Sequence, residues 1–156
     1  MRFAVLRDDI NNALKDAMKA GDSRRVSTLR LVNSALKNAD IEARGQGKPP
    51  LTDEDLLSLL QKMIKQRQES VELYQKGNRA DLVAQEQGEI EIISAYLPKQ
   101  MAESEIVDTV AALVRETGAT AMKDMGRVMA AIKERYAGKL DVGKASAAVK
   151  KLLSGG

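Results

Sequence analysis

An all-α fold is what this sequence predicts, and three observations carry it. Apolar residues recur at three- and four-residue spacing through every long segment, and no stretch alternates with a period of two. Aromatic residues make up 3% of the chain, with one Phe, three Tyr and no Trp. Strands lean on aromatic and β-branched side chains, so composition and pattern both speak against a mostly β fold. The 156 residues, 44% apolar and 30% charged, suffice for one average domain or two small lobes with a real hydrophobic core.

The first helix is expected from about Ala4 to Lys19, with Leu6, Ile10, Leu14 and Ala17 on one stripe and Gly21 as its stop. Asp22 or Ser23 caps a second helix running to about Arg44, whose stripe is Val26, Leu29, Val32, Leu36 and Ala39. Two Gly and two Pro within GQGKPPL then make a loop, the expected mobile site of this half. Thr52-Asp53-Glu54-Asp55 opens a third helix with a capping-box signature and acids suited to the helix dipole. That helix carries Leu56, Leu60, Met63, Ile64, Arg67, Val71 and Tyr74 to about Lys76. After Gly77-Asn78 a fourth runs from about Ala80 to Tyr96, with Leu82, Val83, Glu86, Ile90 and Ile93 inward, and Pro98 stops it.

Three shorter helices follow: about Glu103–Glu116, about Met122–Tyr136, and about Val142–Leu153 capped by Asp141. Thr117-Gly118 and Ala137-Gly138-Lys139 separate them. The expected organisation is an N-terminal α-helical domain of about four helices over residues 1–98 and a C-terminal three-helix bundle over 99–156.

Two absences limit the chemistry. With no Cys and no His, thiol nucleophiles, disulfides, Cys/His zinc sites and Ser-His-Asp triads are excluded. Acid–base work would fall to Asp, Glu or Lys with shifted pKa. Neither a phosphate-cradling glycine loop ending in Lys-Ser/Thr nor GxGxxG is present, and no EF-hand spacing occurs. The acidic clusters sit in first helical turns or on polar faces, so no catalytic residue, metal or cofactor is assigned. The short apolar run in MRFAVLRDDI is no signal sequence, and no stretch approaches the ~20 apolar residues of a membrane span. Together with the missing cysteines this points to a cytoplasmic protein with no membrane partner.

Charge is uneven. Residues 1–98 hold 15 basic and 15 acidic side chains, whereas 121–151 hold eight basic against three acidic. Such an excess fits either an acidic partner or a solvated helical surface. Lys123, Arg127, Lys133, Arg135, Lys139 and Lys144 surround the helix–loop junctions of the last third, where basic side chains reach phosphates without reading bases. Gly126, beside Lys123 and Arg127, suits either helix–helix packing or room for a sugar-phosphate backbone. Tyr136 alone among aromatics does not support base stacking, so a nucleic acid here would be read by shape and phosphate. In the N-terminal half, Arg67 and Glu86 both lie on inward stripes of neighbouring helices and are expected to pair, as a structural ion pair or as a clamp for a substrate carboxylate or phosphate.

Several of these segments, in order and spacing, resemble the GatB/YqeY family: Lys65-Gln66-Arg67, Gly77-Asn78-Arg79-Ala80-Asp81-Leu82, Glu86…Glu91, Tyr96-Leu97-Pro98 and Asp124-Met125-Gly126-Arg127-Val128-Met129. The likeness covers about residues 4–153, that of a free-standing YqeY-like protein similar to the C-terminal tail of GatB, a component of the tRNA-dependent amidotransferase. It implies helical lobes, a label of carbon–nitrogen ligase with glutamine as amido-N-donor, and an RNA-facing role for Lys123 through Met129. The catalytic body of that complex has no room here, so the expectation is a tRNA-binding accessory protein in translation, partnered with tRNA and with an amidotransferase or another tRNA enzyme. The alternative is a helical protein-interaction module without nucleic-acid binding. Ala102 departs from the family's tendency to a capping Ser.

Overall fold

The computed structural model describes residues 5–154, and these are all-α. Seven α-helices and one 3-10 turn succeed one another, with no strand among the described residues. Contacts within the chain divide it into two units, Met1–Leu97 and Pro98–Gly156, each with its own core.

The first unit holds α1 (Val5–Ala20), α2 (Ser23–Gly45), α3 (Asp53–Lys76) and α4 (Ala80–Ser94). The helix start expected at Ala4 lies outside the described residues. Ile10, Leu29, Val32, Leu56, Leu60 and Ile93 are fully buried together, each contributing about 1.5–3 kcal/mol by leaving water. The capping box forms: Thr52 Oγ1 accepts from the Asp55 amide at 3.2 Å, and Asp55 Oδ2 accepts from the Thr52 amide at 3.1 Å. Helix α4 ends at Ser94, short of the expected Tyr96. The Tyr96 and Leu97 amides bond back three residues, to Ile93 and Ser94, because Pro98 forbids another α turn.

A side-chain clamp holds the entry to α3. Arg7 of α1 forks onto Asp40 of α2, with Nη2 to Oδ1 at 2.8 Å, and also donates to the Leu51 carbonyl at 2.8 Å. The Leu51 amide donates to Asp40 Oδ1 at 3.1 Å. The glycine–proline loop is thus pinned at its far end.

The second unit holds α5 (Glu103–Thr117), a 3-10 turn (Met122–Asp124), α6 (Met125–Tyr136) and α7 (Val142–Leu153) around Ile106, Val110, Leu113, Val128, Ile132 and Val149. The helix expected from Met122 instead starts with that 3-10 turn. Asp124 Oδ2 accepts from the Thr120 and Ala121 amides at 2.9 and 3.2 Å and winds the entry tightly. Gly118, at φ +70°, closes α5 in the left-handed region, where the Ala119 amide reaches the Val114 carbonyl. The start of the unit is laced to the α6–α7 connection by the Met101 amide on the Lys139 carbonyl at 2.7 Å and by Gln100 Nε2 on the Gly138 carbonyl at 2.6 Å.

Candidate functional site

The α3–α4 hairpin brings Arg67 to the face of α4 that carries Glu86, but the hydrogen bond goes elsewhere. Arg67 Nε donates to Glu89 Oε2 at 2.9 Å, and Nη1 donates to the Met63 carbonyl at 3.0 Å. The expected Arg67–Glu86 pair is therefore corrected to Arg67–Glu89. Glu86 and Glu89 stand three residues apart on one face, and the carboxylate further along α4 meets the guanidinium. Both members of the pair are 14% exposed, so the guanidinium is committed inside the fold rather than offered to a ligand. Glu86 is half-buried. Burial and the neighbouring Glu89 charge raise its pKa, and Arg67 opposes them only in part.

The basic side chains of the second unit are spread along it. Lys123, Gly126 and Arg127 stand at the start of α6, whereas Lys133 and Arg135 stand at its end, with Lys139 in the connection and Lys144 in the first turn of α7. The α6 stretch from Arg127 to Lys133 alone spans about 9 Å. Several charges are already matched. Arg135 forks onto Glu116 with two bonds of 2.7 Å and holds that carboxyl below its usual range. Arg127 lies 3.3 Å from Asp124, and Lys144 lies 3.9 Å from Glu103. The two amide donors of Thr120 and Ala121 lower the Asp124 pKa, with Arg127 adding to the effect. Gly126 is exposed, and a Cβ there would meet nothing within 4 Å, so it serves no helix–helix contact.

The surface that pattern reading missed lies in the first unit. Met18 at the end of α1 and Leu31 on α2 are 52% and 49% exposed and line one open groove of ≈ 750 Å³, with Val26 and Arg30 beside them. Leu31 lies off the inward stripe of α2, and only that displacement signals the groove in the sequence. Among the described residues no group of three or more acidic side chains is placed to hold a metal ion, and no helix is long and apolar enough to cross a membrane.

Fold and surface together define an all-helical protein of two units, each with its own core and its own cross-helix ion pairs. The YqeY-like protein family matches residues 7–153, and the chain belongs to that family. The kinship of its domain with the GatB C-terminal domain stands as a relation between domains. Among its relatives are proteins named "Altered inheritance of mitochondria protein 41, mitochondrial". The one from Lachancea thermotolerans is 43% identical over 89 residues, 57% of this chain and 46% of its own length. The one from Pyrenophora tritici-repentis is 35% identical over 127 residues, 78% of this chain and 68% of its own length. The one from Saccharomyces cerevisiae is 37% identical over 93 residues, covering 60% and 49% respectively. The chain thus spans about half the length of two of these relatives and about two thirds of the third.

These relatives correct two expectations. They are named for mitochondrial inheritance and not for tRNA or amide transfer, which overturns the reading of a tRNA-binding amidotransferase helper in translation. Their mitochondrial designation likewise overturns the cytoplasmic placement. Around α6, Arg127, Arg135 and Lys144 each stand beside an acid of the same unit.

Proposed function

We propose that the chain is a helical protein-interaction module. The observation that carries this reading is the Met18–Leu31 groove, where two large apolar side chains stand about half exposed on adjoining helices of one unit. The two side chains give a partner protein an apolar contact beside polar neighbours. The fungal relatives are named for altered inheritance of mitochondria, which makes a protein of that process the first partner to try.

The test is affinity capture with the full chain after mild crosslinking, with nuclease treatment and stoichiometry read by mass spectrometry. A protein partner retained at near-equal amounts after nuclease supports the reading. Capture that yields no stable protein partner overturns it.

A further inference from the structure

We infer that the groove between the last turn of α1 and the outer face of α2 docks an acidic amphipathic helix from a partner protein. The inference rests on the interaction-module reading and names its site and ligand.

The groove follows α2 from Ser23 to Ser34, with Met18 and Leu31 as its apolar contacts. Eleven residues of helix span about 16 Å, the length of a three-turn segment laid alongside. Its apolar lining asks for a partner stripe of i, i+3, i+4, i+7 side chains.

Charge selects the partner. Residues 23–39 contain Arg24, Arg25, Arg30 and Lys37 and no acid. Arg30 lines the groove itself, and Lys19 adds a further cation in the last turn of α1. Arg24 lies against Gly88 of α4, while Arg30 and Lys19 join no ion pair among the described residues, in contrast to Arg7, Arg67 and Arg135. An apolar strip with Arg30 in its lining and Lys19 beside its Met18 end is complementary to a helix with leucine-like side chains on one face and carboxylates along its edges. A second copy of the chain presenting the same face would bring like charges together, so the groove does not fit itself.

The test uses the ¹⁵N-labelled full chain and two synthetic helical peptides of about 16 residues. Both carry Leu on one stripe; one has Glu at the flanking positions and the other Lys. The Glu peptide is expected to shift the amides of Met18, Gly21, Arg30 and Leu31 and to bind roughly tenfold tighter than the Lys peptide. Arg30→Glu should abolish or reverse that preference, and Leu31→Ser should weaken binding of the Glu peptide. Both positions are exposed, and an unchanged spectrum elsewhere certifies the fold. Equal binding of the two peptides, shifts that map elsewhere, no shifts at all, or tighter binding to vesicles of anionic phospholipid than to the Glu peptide would each overturn the inference. A captured protein partner that crosslinks only outside the groove would remove this site and leave the interaction-module reading standing. Failure to capture any protein partner would remove both.

Discussion

Arg67 on α3 bonds Glu89 on α4 at 2.9 Å and passes over Glu86, one turn earlier on the same helix. Glu86 is left half-buried near the guanidinium but without a hydrogen bond from it, and its neighbours push its pKa up. A carboxyl with a raised folded pKa binds its proton more tightly in the native state. Its contribution to stability is full below the unfolded pKa and is lost as pH rises through the folded one.

Glu86→Gln should therefore stabilise the first unit at about pH 7 by a degree or two in Tm and give no gain at about pH 4, where the carboxyl is already neutral. Thermal melts of parent and variant across that range check it. A gain that is constant with pH would show that the effect comes from packing and not from charge.

Arg7 and Asp40 behave in the opposite sense. Arg7 holds the Asp40 carboxyl below its usual range, so its contribution is present above the unfolded pKa and is lost as pH falls through the folded one. Asp40→Asn is expected to cost about 1–2 kcal/mol at about pH 7, since it weakens charge-assisted bonds to Arg7 at a part-buried site. The cost should shrink as the parent's own carboxyl protonates in acid. A double-mutant cycle with Arg7→Met, read by urea melts, should give a coupling of about 1 kcal/mol or more.

The different fates of these two pairs show what could be read from sequence. The inward stripes of α1 to α3 and of α5 to α7 are local patterns, so Ile10, Leu29, Leu60, Val110 and Val149 were legible as core from spacing alone. That an Arg on α3 would face a carboxylate on α4 was legible too. Which of two acids three residues apart it would meet was not, because that depends on the axial offset between helices. Arg7 and Asp40 are 33 residues apart in sequence, and nothing local links them. The basic count over 121–151 was legible as arithmetic, whereas the pairing of Arg135 with Glu116 and of Arg127 with Asp124 depends on how the helices meet. The tRNA role came from resemblance to a larger complex, a step that no residue of this chain carried by itself.

Ala102 stands at the N-cap of α5 with no side-chain bond to offer, while Glu105 Oε1 already accepts from the Ala102 amide at 3.0 Å. Half of a capping box is in place. Ala102→Ser supplies the other half, an oxygen for the Glu105 amide, and should stabilise the second unit by about 1 kcal/mol. Hydrogen exchange of the first-turn amides of α5 locates the effect. If the protection gained lies elsewhere, the capping explanation fails.

Thr28 is 1% exposed within α2, and its hydroxyl oxygen has no hydrogen-bond partner. A buried hydroxyl left unpaired costs about 1–3 kcal/mol relative to an apolar group of the same shape. Thr28→Val keeps the branched outline and removes the oxygen. The variant should gain on the order of 1 kcal/mol in urea unfolding, with an unchanged m-value. A loss instead of a gain would mean that the hydroxyl does find a partner in solution.

Gly88 weakens the middle of α4, since glycine in a helix interior costs about 1 kcal/mol relative to alanine. The structure gives one reason for it. A Cβ at Gly88 would stand 2.7 Å from Arg24 Nη1 and 3.2 Å from Arg24 Cδ, so the absent side chain is what lets Arg24 of α2 lie across α4. Those atoms belong to a long, exposed side chain that can swing away at small cost, unlike a backbone. Gly88→Ala is therefore expected to be mildly stabilising, by a few tenths of a kcal/mol, as the propensity gain exceeds the lost contact. In the Arg24→Ala background the obstacle is gone, and the same substitution should return the full ~1 kcal/mol. Equal effects in the two backgrounds would show that Arg24 does not rest on Gly88 in solution. A net loss in the parent that vanishes with Arg24→Ala would show that the Arg24 contact is worth more than the helix propensity it costs.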